Sequence, residues 1–482
     1  MQQMAQIAVV IVTVALVSSS VAGEAAKETT PLQAALANTK PLEHPQGDRP
    51  PLVLWTPDLP ATAGDAELEQ VIKDLKARGI GLLHRWGGDA DEASAAGIRI
   101  GKLQRKLGMP VLVDGTGLAH GFFTGDEKMG HVDADGKHFR DTSFFWSPGC
   151  PFTLEERFAE KRKAFADYAR RYRQAGVAID YWMGDFEFDG PNEWNDGWAA
   201  AKKCTVCREK IPNIDTDFAA FQKAVRDIRT RMQREAWVEP LRAAFPAIRI
   251  GNYGMNPHDG FRYWSDFYEN PSTDLPHKMD GKAIYRPWAD EFKGSGYTIA
   301  MPVIYTWFRI WDSYTFENKQ YRWFSNMLRE ASSVGRSKSA GLPVIAFVHW
   351  STTNPPKELP AGFEPMSEAT YEELLWHMLL RGTTGFAMWS PPNETAVEVQ
   401  PVHRVYAASL QYADFLSKGV PQVFDVPEQP GTVVSAVRLG RKLLARRTDF
   451  AESDKPVEIK VDGKSVVIPP KAKECLVLDL PR

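Results

Sequence analysis

Two acidic residues, Asp185 and Glu187, lie two positions apart in the stretch YWMGDFEFDGPNEW (181–194), directly after an apolar run. Because successive side chains of a strand alternate between its faces, both acids are predicted to share the face of Tyr181. Carboxylates spaced in this way lie roughly 6.5–7 Å apart and resist joint ionisation, which raises the pKa of one of them. A raised pKa suits a general acid near neutral pH. The spacing therefore predicts an acid–base site in which Glu187 donates the proton and Asp185, deeper in the strand, stays ionised.

The same two acids also have a structural interpretation, because a buried carboxylate without a partner is costly. An arginine such as Arg85 or Arg309 could hold both of them in an ion pair. Asp189 follows with the same parity but belongs to the turn, and we interpret it as lining a subsite or as structural.

The other apolar runs offer no carboxylate as well placed as these two. The run LPVIAFVHWSTT (342–353) contains His349 and Trp350 near its end but no acid, whereas Asp114 ends the run 109–115 and Asp312 follows the run 299–307. Without a well-placed protein nucleophile, the pattern favours substrate-assisted hydrolysis, in which the 2-acetamido oxygen of a sugar attacks its own anomeric carbon. The ionised acid of the pair would then orient the acetamido group.

Aromatic residues end several of these runs, and sugar rings stack on aromatic faces. Tyr253 or Tyr305 could hydrogen-bond the acetamido group, and Trp389 could form the floor of the subsite. Each aromatic alone could equally be a core residue, but their shared position at the ends of runs favours a sugar site. The candidate substrate-binding residues are Tyr253, Tyr305, Trp350, Trp389, Asp312, Asp114 and Arg85.

The acids and aromatics follow apolar runs that alternate with amphipathic helical stretches. The strand candidates are residues 51–57, 81–87, 109–115, 176–187, 248–254, 299–307, 342–350 and 384–390. The helix candidates are residues 65–78, 92–107, 153–174, 216–243, 319–334, 368–381 and 401–417. Alternating strands and helices predict parallel βαβ units, and eight of them predict an α/β fold, a (β/α)₈ TIM barrel over residues 51–419. Enzymes with this fold build their sites in the loops after the strands, where the candidate residues lie.

The two ends of the chain differ from this pattern. Residues 420–482 contain short alternating runs with a hairpin turn at Asp462-Gly463, and they predict a small C-terminal β domain, β-sandwich-like in organisation. Residues 1–23 combine an apolar core with small residues, as is typical of a secretory signal peptide, and residues 24–50 are predicted to be a linker. We therefore expect a secreted or periplasmic protein with no stable membrane insertion after signal cleavage.

The charge balance limits the class of partner. The 482 residues carry a formal net charge of −3 and have a pI near 6.4, which argues against nucleic acid as a main partner. We expect an oligo- or polysaccharide substrate, no nucleic-acid partner and no cofactor.

Cys204 and Cys207 form a C-x-x-C pair in a polar loop. A zinc site would need two further ligands, and the sequence shows no second C-x-x-C. These observations favour a loop disulfide, with Cys150 as a candidate partner, over a zinc site. Cys475 lies in an alternating run and is predicted to be a lone buried thiol.

Several of these segments together resemble the hyaluronidase family of glycoside hydrolases. GVAIDYWMGDFE resembles the fourth strand of that family, which ends in an Asp-x-Glu pair, and PLVLWTPDLP resembles its first strand. YRWFSNMLREASSVGRSKSAGLPVIAFVHW is similar to its Arg-Glu-Ala helix and the strand that follows. MSEATYEELLWHMLLRGTTGFAMWS is similar to its closing helix and strand. The resemblance covers residues 50–415 and is clearest in these segments.

The resemblance implies a (β/α)₈ barrel and cleavage of N-acetylhexosaminides by substrate assistance. It implies that Glu187 is the proton donor and that Asp185 positions the acetamido group. The tyrosines of the family and the tryptophan of its eighth strand carry over onto Tyr253 or Tyr305 and onto Trp389.

The chain also departs from the family. It continues as FDGPNEW where family members have a Trp-Arg-Pro run, and it lacks the family's barrel disulfides and cysteine-rich C-terminal module. The resemblance therefore bears on the mechanism more than on hyaluronan as substrate. A polyanion would depend on local residues such as Arg85, Arg286 or Arg309.

Two other functions stay open. One is a retaining glycosidase of another sugar, with Asp185 as the nucleophile and Asp312 as the acid. The other is a catalytically inactive carbohydrate-binding barrel, in which Glu187 is held in a salt bridge.

Overall fold

The chain is described by a computed structural model over most of its length. The described residues are 30–55, 64–87, 90–123, 127–142, 147–186, 195–261, 288–313, 315–451, 453–470 and 473–481. The predicted signal peptide lies outside these ranges.

Eight short parallel strands correspond to the eight predicted runs. They are Leu52–Leu54, Ile80–Gly81 with Leu83–Arg85, Leu112–Asp114, Tyr181–Gly184, Arg249–Asn252, Val303–Trp307, Ile345–Thr353 and Gly385–Met388, hereafter the first to the eighth strand. The helices that alternate with them are, in order, Asp65–Ala77, Ala90–Lys106, Glu155–Gln174, Phe218–Gln233 with Glu239–Ala244, Trp288–Ser295, Lys319–Ser337, Glu368–Leu380 and Thr395–Ser409. The predicted α/β class is confirmed by this alternation.

Shorter elements lie in the loops and at the ends. The short helices are Pro31–Ala37, Thr116–Ala119, Asn195–Lys203, Thr205–Lys210, Phe308–Ser313 and Ala413–Lys418. Three 3₁₀ turns, at Glu127–Met129, Pro151–Thr153 and Leu410–Tyr412, and a π-helical segment, Arg234–Val238, accompany them. A small hairpin pairs His131–Val132 with His138–Phe139.

The parallel strands form two sheets. One sheet contains, in spatial order, the second strand (its Ile80–Gly81 part), the first, the eighth, the seventh and the sixth. The other contains the second strand (its Leu83–Arg85 part), the third, the fourth and the fifth. The second strand therefore belongs to both sheets and joins them.

The sheets also meet at a second place, between the fifth and sixth strands. The backbone N–H groups of Thr298 and Ile299 donate to the carbonyl oxygen of Ile250, at 2.8 and 3.0 Å. Further along, the N–H of Gly254 donates to the carbonyl of Met301 at 3.0 Å. Backbone hydrogen bonds therefore join strands that are consecutive in the sequence, including the fifth and the sixth.

The two faces of the fourth strand pack differently. Tyr181 and Met183 lie in a buried cluster with Tyr253 and Phe347, which come from other strands. Trp182 points to the opposite side, where it contacts Phe165 of the preceding helix Glu155–Gln174 at a centroid distance of 5.7 Å and Trp237 of the following π-helical segment at 6.1 Å. Alternation along the strand therefore separates a strand-lined interior from a helix-covered exterior.

Residues 31–50, which the composition assigned to a linker, fold against the rest of the chain. Their helix starts with Pro31 and a capping box in which Thr30 and Gln33 exchange hydrogen bonds. The buried guanidinium of Arg49 donates to the hydroxyl of Ser409 at 3.0 Å and to the carbonyl of Thr384, directly before the eighth strand, at 3.1 Å. The linker prediction fails here because composition does not reveal a capping signal or a buried anchor.

The C-terminal residues form antiparallel strands. A four-stranded sheet has the order Val420–Pro421, Thr432–Leu439, Lys442–Asp449 and Cys475–Asp479. Val457–Val461 pairs with Lys464–Ile468 through a turn in which Asp462 and Gly463 both have positive φ, as a tight hairpin requires.

A buried polar network joins this sheet to the helix Glu368–Leu380. Glu373 accepts two hydrogen bonds from Arg446, at 2.7 and 2.9 Å, and one from the hydroxyl of Thr448 at 2.6 Å. The ring of His377 lies between the hydroxyls of Ser435 and Thr448, at 2.7 and 3.0 Å. Burial lowers the pKa of His377 well below its usual range, so the ring enters this network uncharged.

No helix among the described residues has the length and apolar character that crossing a membrane requires.

Candidate active site

Asp114, at the end of the third strand, is buried among polar groups. Its Oδ1 accepts a hydrogen bond from the backbone N–H of Thr116 at 2.9 Å, and its Oδ2 lies 3.4 Å from Nε of Arg85. Burial raises the pKa of Asp114, whereas the hydrogen bonds from Thr116 and the charge of Arg85 oppose that rise. Arg85 and Asp114 are opposite each other in adjacent parallel strands, so both lie at the edge where the fourth strand ends.

Gly115 follows Asp114 because the site leaves no room for a side chain there. A Cβ at this position would lie 2.2 Å from the indole of Trp182 on the fourth strand. The close approach lets the N–H of Gly115 donate to the carbonyl of Met183 at 2.8 Å. The third and fourth strands are thereby held together two residues before Asp185.

Asp185 directly follows the fourth strand, and its backbone is fixed from the neighbouring loop. Its N–H donates to the hydroxyl of Thr116 at 2.9 Å, and its carbonyl oxygen lies 2.7 Å from Nε2 of His120. The carboxylate oxygen Oδ1 is buried and accepts no hydrogen bond within the described part of the chain. An oxygen in this state can accept a hydrogen bond from a substrate.

Burial raises the pKa of Asp185 to about 6. The positive charge available at His120 opposes this rise, and the charge of Asp114 adds to it. The sequence argument assigned the raised pKa to the other acid of the pair, Glu187, on the basis of repulsion between the two. The structure shows an upward shift on Asp185 with burial as its main cause, and at neutral pH a group with this pKa is still mostly ionised.

Asn252, at the end of the fifth strand, fixes the residue after Asp185. Its Oδ1 accepts the N–H of Phe186 at 2.8 Å, and its Nδ2 donates to the Phe186 carbonyl at 3.2 Å. The ring of Phe186 packs on the helix side against Trp237, with centroids 5.4 Å apart. Asp185 and Phe186 therefore leave the strand in opposite directions.

Several sequence-predicted residues lie outside the described ranges. They are the proposed proton donor Glu187, the turn acid Asp189 and Arg286. Arg309 lies in the helix Phe308–Ser313, but its side chain is not described. Of the two arginines that the structural interpretation considered as partners of the acid pair, only Arg85 has a described side chain, and its Nε lies 3.4 Å from Oδ2 of Asp114.

Aromatic rings from different strand ends meet beside this edge. Tyr305 of the sixth strand contacts Tyr253 at a centroid distance of 6.3 Å and stacks on Trp389 at 5.8 Å, with 24° between the ring planes. Tyr305 also stacks on Trp307 at 6.1 Å. Trp307 and Trp389 are both partly exposed, so the group presents aromatic faces to solvent.

Trp350 does not lie with these rings. It stacks on Tyr371 of the helix after the seventh strand, at 6.0 Å and 12°, and its Nε1 donates to the carbonyl of Met366. His349 lies on the inner face in its place, with its ring 5.6 Å from that of Tyr305 and 4.7 Å from that of Trp389. The alternation of the seventh strand brings the histidine, and not the tryptophan, to the aromatic group.

Asp312 is also set apart from the acids. It is exposed on the helix Phe308–Ser313, whereas its neighbour Trp311 is buried against Trp323 and Phe363. Asp312 therefore lacks the buried surroundings that Asp114 has.

Sequence reasoning did not select four residues that help to build the site, namely Thr116, His120, Asn252 and Glu398. Asn252 and the loop GTGLAH, which contains Thr116 and His120, directly follow predicted strands, and this position could have marked them. Glu398 gives no such signal, because it comes from the helix after the eighth strand. It lies fully buried, accepts the N–H groups of Trp350 and Ser351 at 2.9 and 2.6 Å, and lies 3.0 Å from Nδ1 of His349.

Two groups of described side chains have donor atoms close enough to hold a metal ion. One comprises His349, Glu394 and Glu398, but both oxygens of Glu398 already accept backbone hydrogen bonds. The other comprises His131, Cys150, Cys204 and Cys207. All four cysteines of the chain are free thiols, so the predicted loop disulfide is not formed, and Cys475 is only partly buried.

The comparison with known proteins gives structural likenesses only. No protein-family model matches the sequence, and no curated protein matches it. The chain is similar to the galactosidase domain of an alpha-galactosidase-sucrose kinase at 10% identity and a TM-score of 0.42, over 93% of this chain and 57% of that one. It is similar to a cyclic alpha-maltosyl-(1→6)-maltose hydrolase from Arthrobacter globiformis at 12% identity and a TM-score of 0.39, over 92% and 93% of the two chains.

A third solved structure, the isomaltulose synthase SmuA from Protaminobacter rubrum, is similar at 12% identity and a TM-score of 0.38, over 90% of this chain and 96% of that one. Likenesses of this size identify neither a substrate nor a reaction, so the function has to be argued from the site itself.

Proposed function

We propose that this chain is a secreted glycoside hydrolase that cleaves an N-acetylhexosaminide-containing glycan by substrate-assisted, retaining catalysis. The observation that carries the proposal is the mostly ionised carboxylate of Asp185, whose buried Oδ1 accepts no hydrogen bond within the described residues. An unsatisfied buried acceptor costs stability, so its retention at a strand end is better explained by chemistry than by folding.

The architecture we propose is one closed (β/α)₈ barrel over residues 51–419, followed by a small β domain at 420–482. Its support is the order of the strands, the second strand shared by both sheets and the hydrogen bonds from Thr298 and Ile299 to Ile250. In such a barrel the carboxyl ends of the strands share one mouth, where active sites lie. The acids and the aromatic group would then face the same cavity.

The proposed reaction uses the substrate as its own nucleophile. The acetamido oxygen bonds to the anomeric carbon while the glycosidic bond breaks, and Glu187 protonates the departing oxygen. Asp185 accepts the acetamido N–H and stabilises the positive charge of the oxazolinium ring. Water then attacks the anomeric carbon, gives its proton to Glu187 and restores the acetamido group with retained configuration.

The aromatic group is suited to hold the sugar. The partly exposed rings of Trp307 and Trp389 stack on Tyr305, and Tyr305 contacts Tyr253. Tyr253 directly follows Asn252, whose side chain binds the backbone of Phe186 next to Asp185. A pyranose ring stacked on Trp389 would place its substituents near the polar edge. This arrangement agrees with the resemblance to the hyaluronidase family and does not depend on that family's usual substrate.

The proposal is tested with the variant Glu187→Gln, assayed on N-acetylhexosaminide glycans and on activated aryl N-acetylhexosaminides. General acid catalysis contributes about 10²–10⁴-fold, so turnover of the glycan should fall by at least that factor. The aryl substrate needs little protonation and should retain much of its rate. Equal losses on both substrates would contradict the role of Glu187.

A second measurement separates this mechanism from that of a retaining glycosidase of another sugar. A thiazoline mimic of the oxazolinium intermediate should inhibit the wild-type enzyme. Recovery of a covalent adduct between a 2-fluoro sugar and Asp185 would instead identify Asp185 as a protein nucleophile. The exposed position of Asp312 does not favour its role as the acid in that alternative.

A further inference from the structure

Four buried side chains, remote from the acids in sequence, converge on one point. The ring of His131 and the sulfurs of Cys150, Cys204 and Cys207 place four donor atoms within 4.8 Å of one another. The sulfurs of Cys150 and Cys207 lie 3.6 Å apart, and the sulfur of Cys207 lies 3.8 Å from Nδ1 of His131. A disulfide requires sulfurs about 2.05 Å apart, so the sulfurs of Cys150 and Cys207 are not bonded to each other.

The distances match the edges of a zinc tetrahedron. Zinc binds thiolate sulfur at about 2.3 Å and imidazole nitrogen at about 2.0–2.1 Å. In tetrahedral geometry these bond lengths give ligand-to-ligand separations of about 3.8 Å between two sulfurs and about 3.5 Å between sulfur and nitrogen. The observed separations differ from these by a few tenths of an ångström.

The backbone holds each ligand in place. His131 begins a small hairpin, and its ring stacks on Phe139 of the opposite strand at 5.1 Å and 24°. The N–H of Cys150 donates at 3.0 Å to the carbonyl of Met129, two residues before His131. Gly149 permits this approach, because a Cβ there would lie 1.8 Å from the same carbonyl oxygen.

The other two ligands come from one short helix. Cys204 directly precedes the helix Thr205–Lys210, and Cys207 lies inside it. The hydroxyl of Thr205 donates to the carbonyl of Val132 at 3.1 Å, which ties this helix to the hairpin that carries His131. Both halves of the cluster are therefore positioned by contacts other than a bond between the sulfurs.

We propose that His131, Cys150, Cys204 and Cys207 bind a structural zinc ion. The set of three thiolates and one imidazole leaves no open coordination position, which is typical of structural rather than catalytic zinc. Soft sulfur ligands favour zinc over magnesium or calcium, and an iron–sulfur cluster is usually held by four cysteines or by two with two histidines.

The proposed ion would do structural work where the hydrophobic core is small. The surrounding cluster has eight buried residues, three of which are the cysteines themselves. Such a small core gains from a covalent or metal cross-link. The ion would join the loop that follows the third strand, with His131 and Cys150, to the loop that follows the fourth, with Cys204 and Cys207.

The test is to measure zinc in the full chain after purification without added metal. Inductively coupled plasma mass spectrometry should find one zinc ion per chain in the wild type and in Cys475→Ser, whose sulfur lies near Arg446 instead. Cys207→Ser and His131→Ala should lose stoichiometric zinc. A chelator should lower the Tm of the wild type, and added zinc should restore it.

Cobalt gives a readout that needs no variant to fold. When Co²⁺ replaces the metal in the wild type, the absorption spectrum should show a thiolate charge-transfer band and the strong d–d bands of tetrahedral cobalt. A chain that contains no zinc would overturn the proposal. Mass spectrometry after alkylation would then show whether these cysteines form a disulfide or are all free thiols.

Discussion

Asp185 and Glu373 both have buried carboxylate oxygens, but the surroundings of these oxygens differ in one respect. Each oxygen of Glu373 is bonded, by Arg446 on both and by Thr448 on one. Asp185 has an oxygen that no described group satisfies, and burial raises its pKa to about 6. Burial alone therefore does not mark a functional acid, whereas a buried carboxylate oxygen that accepts no hydrogen bond is compatible with binding a ligand. Glu373 fastens the C-terminal sheet to the helix Glu368–Leu380, whereas we propose that Oδ1 of Asp185 binds a ligand.

The largest expected effect on stability comes from removing the paired acid, Glu373. Glu373→Ala leaves the guanidinium of Arg446 buried without its partner, and such a loss costs about 3–5 kcal/mol. Urea unfolding at neutral pH should show this decrease in the free energy of unfolding. A decrease below about 1 kcal/mol would mean that the ion pair is not the main fastening between the sheet and the helix.

Removing the charge of the unpaired acid should chiefly affect activity. Asp185→Asn keeps the size of the side chain but loses the negative charge that stabilises the oxazolinium ring. Removing one such preorganised group costs about 10²–10³-fold in kcat. The thiazoline mimic should bind the variant much more weakly than the wild type, and unchanged binding would exclude this role for Asp185.

The same substitution should raise stability, with a defined pH dependence. The folded-state pKa of Asp185 is about 6 and exceeds the unfolded value of about 3.9, so the folded state binds the proton more tightly and its stability falls as pH rises between these values. At 1.36 kcal/mol per pKa unit, Asp185→Asn should gain up to about 3 kcal/mol at pH 8 and little at pH 4.

This pH dependence distinguishes the two interpretations of Asp185. If an arginine held the carboxylate, Asp185→Asn would instead destabilise the protein at pH 8. Urea unfolding of both chains at the two pH values measures the sign directly.

The smallest expected effect comes from an exposed ion pair on the same helix as Glu373. Glu368 pairs with Arg404 at the surface, and solvent screens such pairs. Glu368→Gln should change the free energy of unfolding by about 0–1 kcal/mol, which makes it the matched control for Glu373→Ala. An effect as large as that of the buried acid would remove the distinction between the two.

Local pattern predicted the order of the elements well, because amphipathic helices and apolar strands leave a periodic signal. It also placed Asp185 on the face of Tyr181, because side chains alternate along a strand. The seventh strand is buried on both faces over most of its length, so nothing in its sequence shows whether His349 or Trp350 points inward. That is why Trp350 was placed with the wrong group.

Convergence between distant segments was beyond the sequence argument. The C-x-x-C pair at Cys204 and Cys207 supplies two of the four ligands. Cys150 lies 54 positions before Cys204, and His131 lies 19 positions before Cys150. Tertiary contacts such as the hydrogen bonds from Cys150 to Met129 and from Thr205 to Val132 bring these segments together. Glu398 escaped notice for the same reason.

The amide hydrogens of Asp185 and Phe186 bond to the side chains of Thr116 and Asn252 instead of to a neighbouring strand. Amide protons exchange with deuterated solvent only when such bonds open, so both should exchange slowly although they lie beyond the end of the strand. Thr116→Val and Asn252→Ala would each remove one acceptor and should accelerate the exchange of one amide only. Exchange rates at these two positions would therefore report, on a scale of minutes to hours, how firmly the chain holds the carboxylate of Asp185 in place.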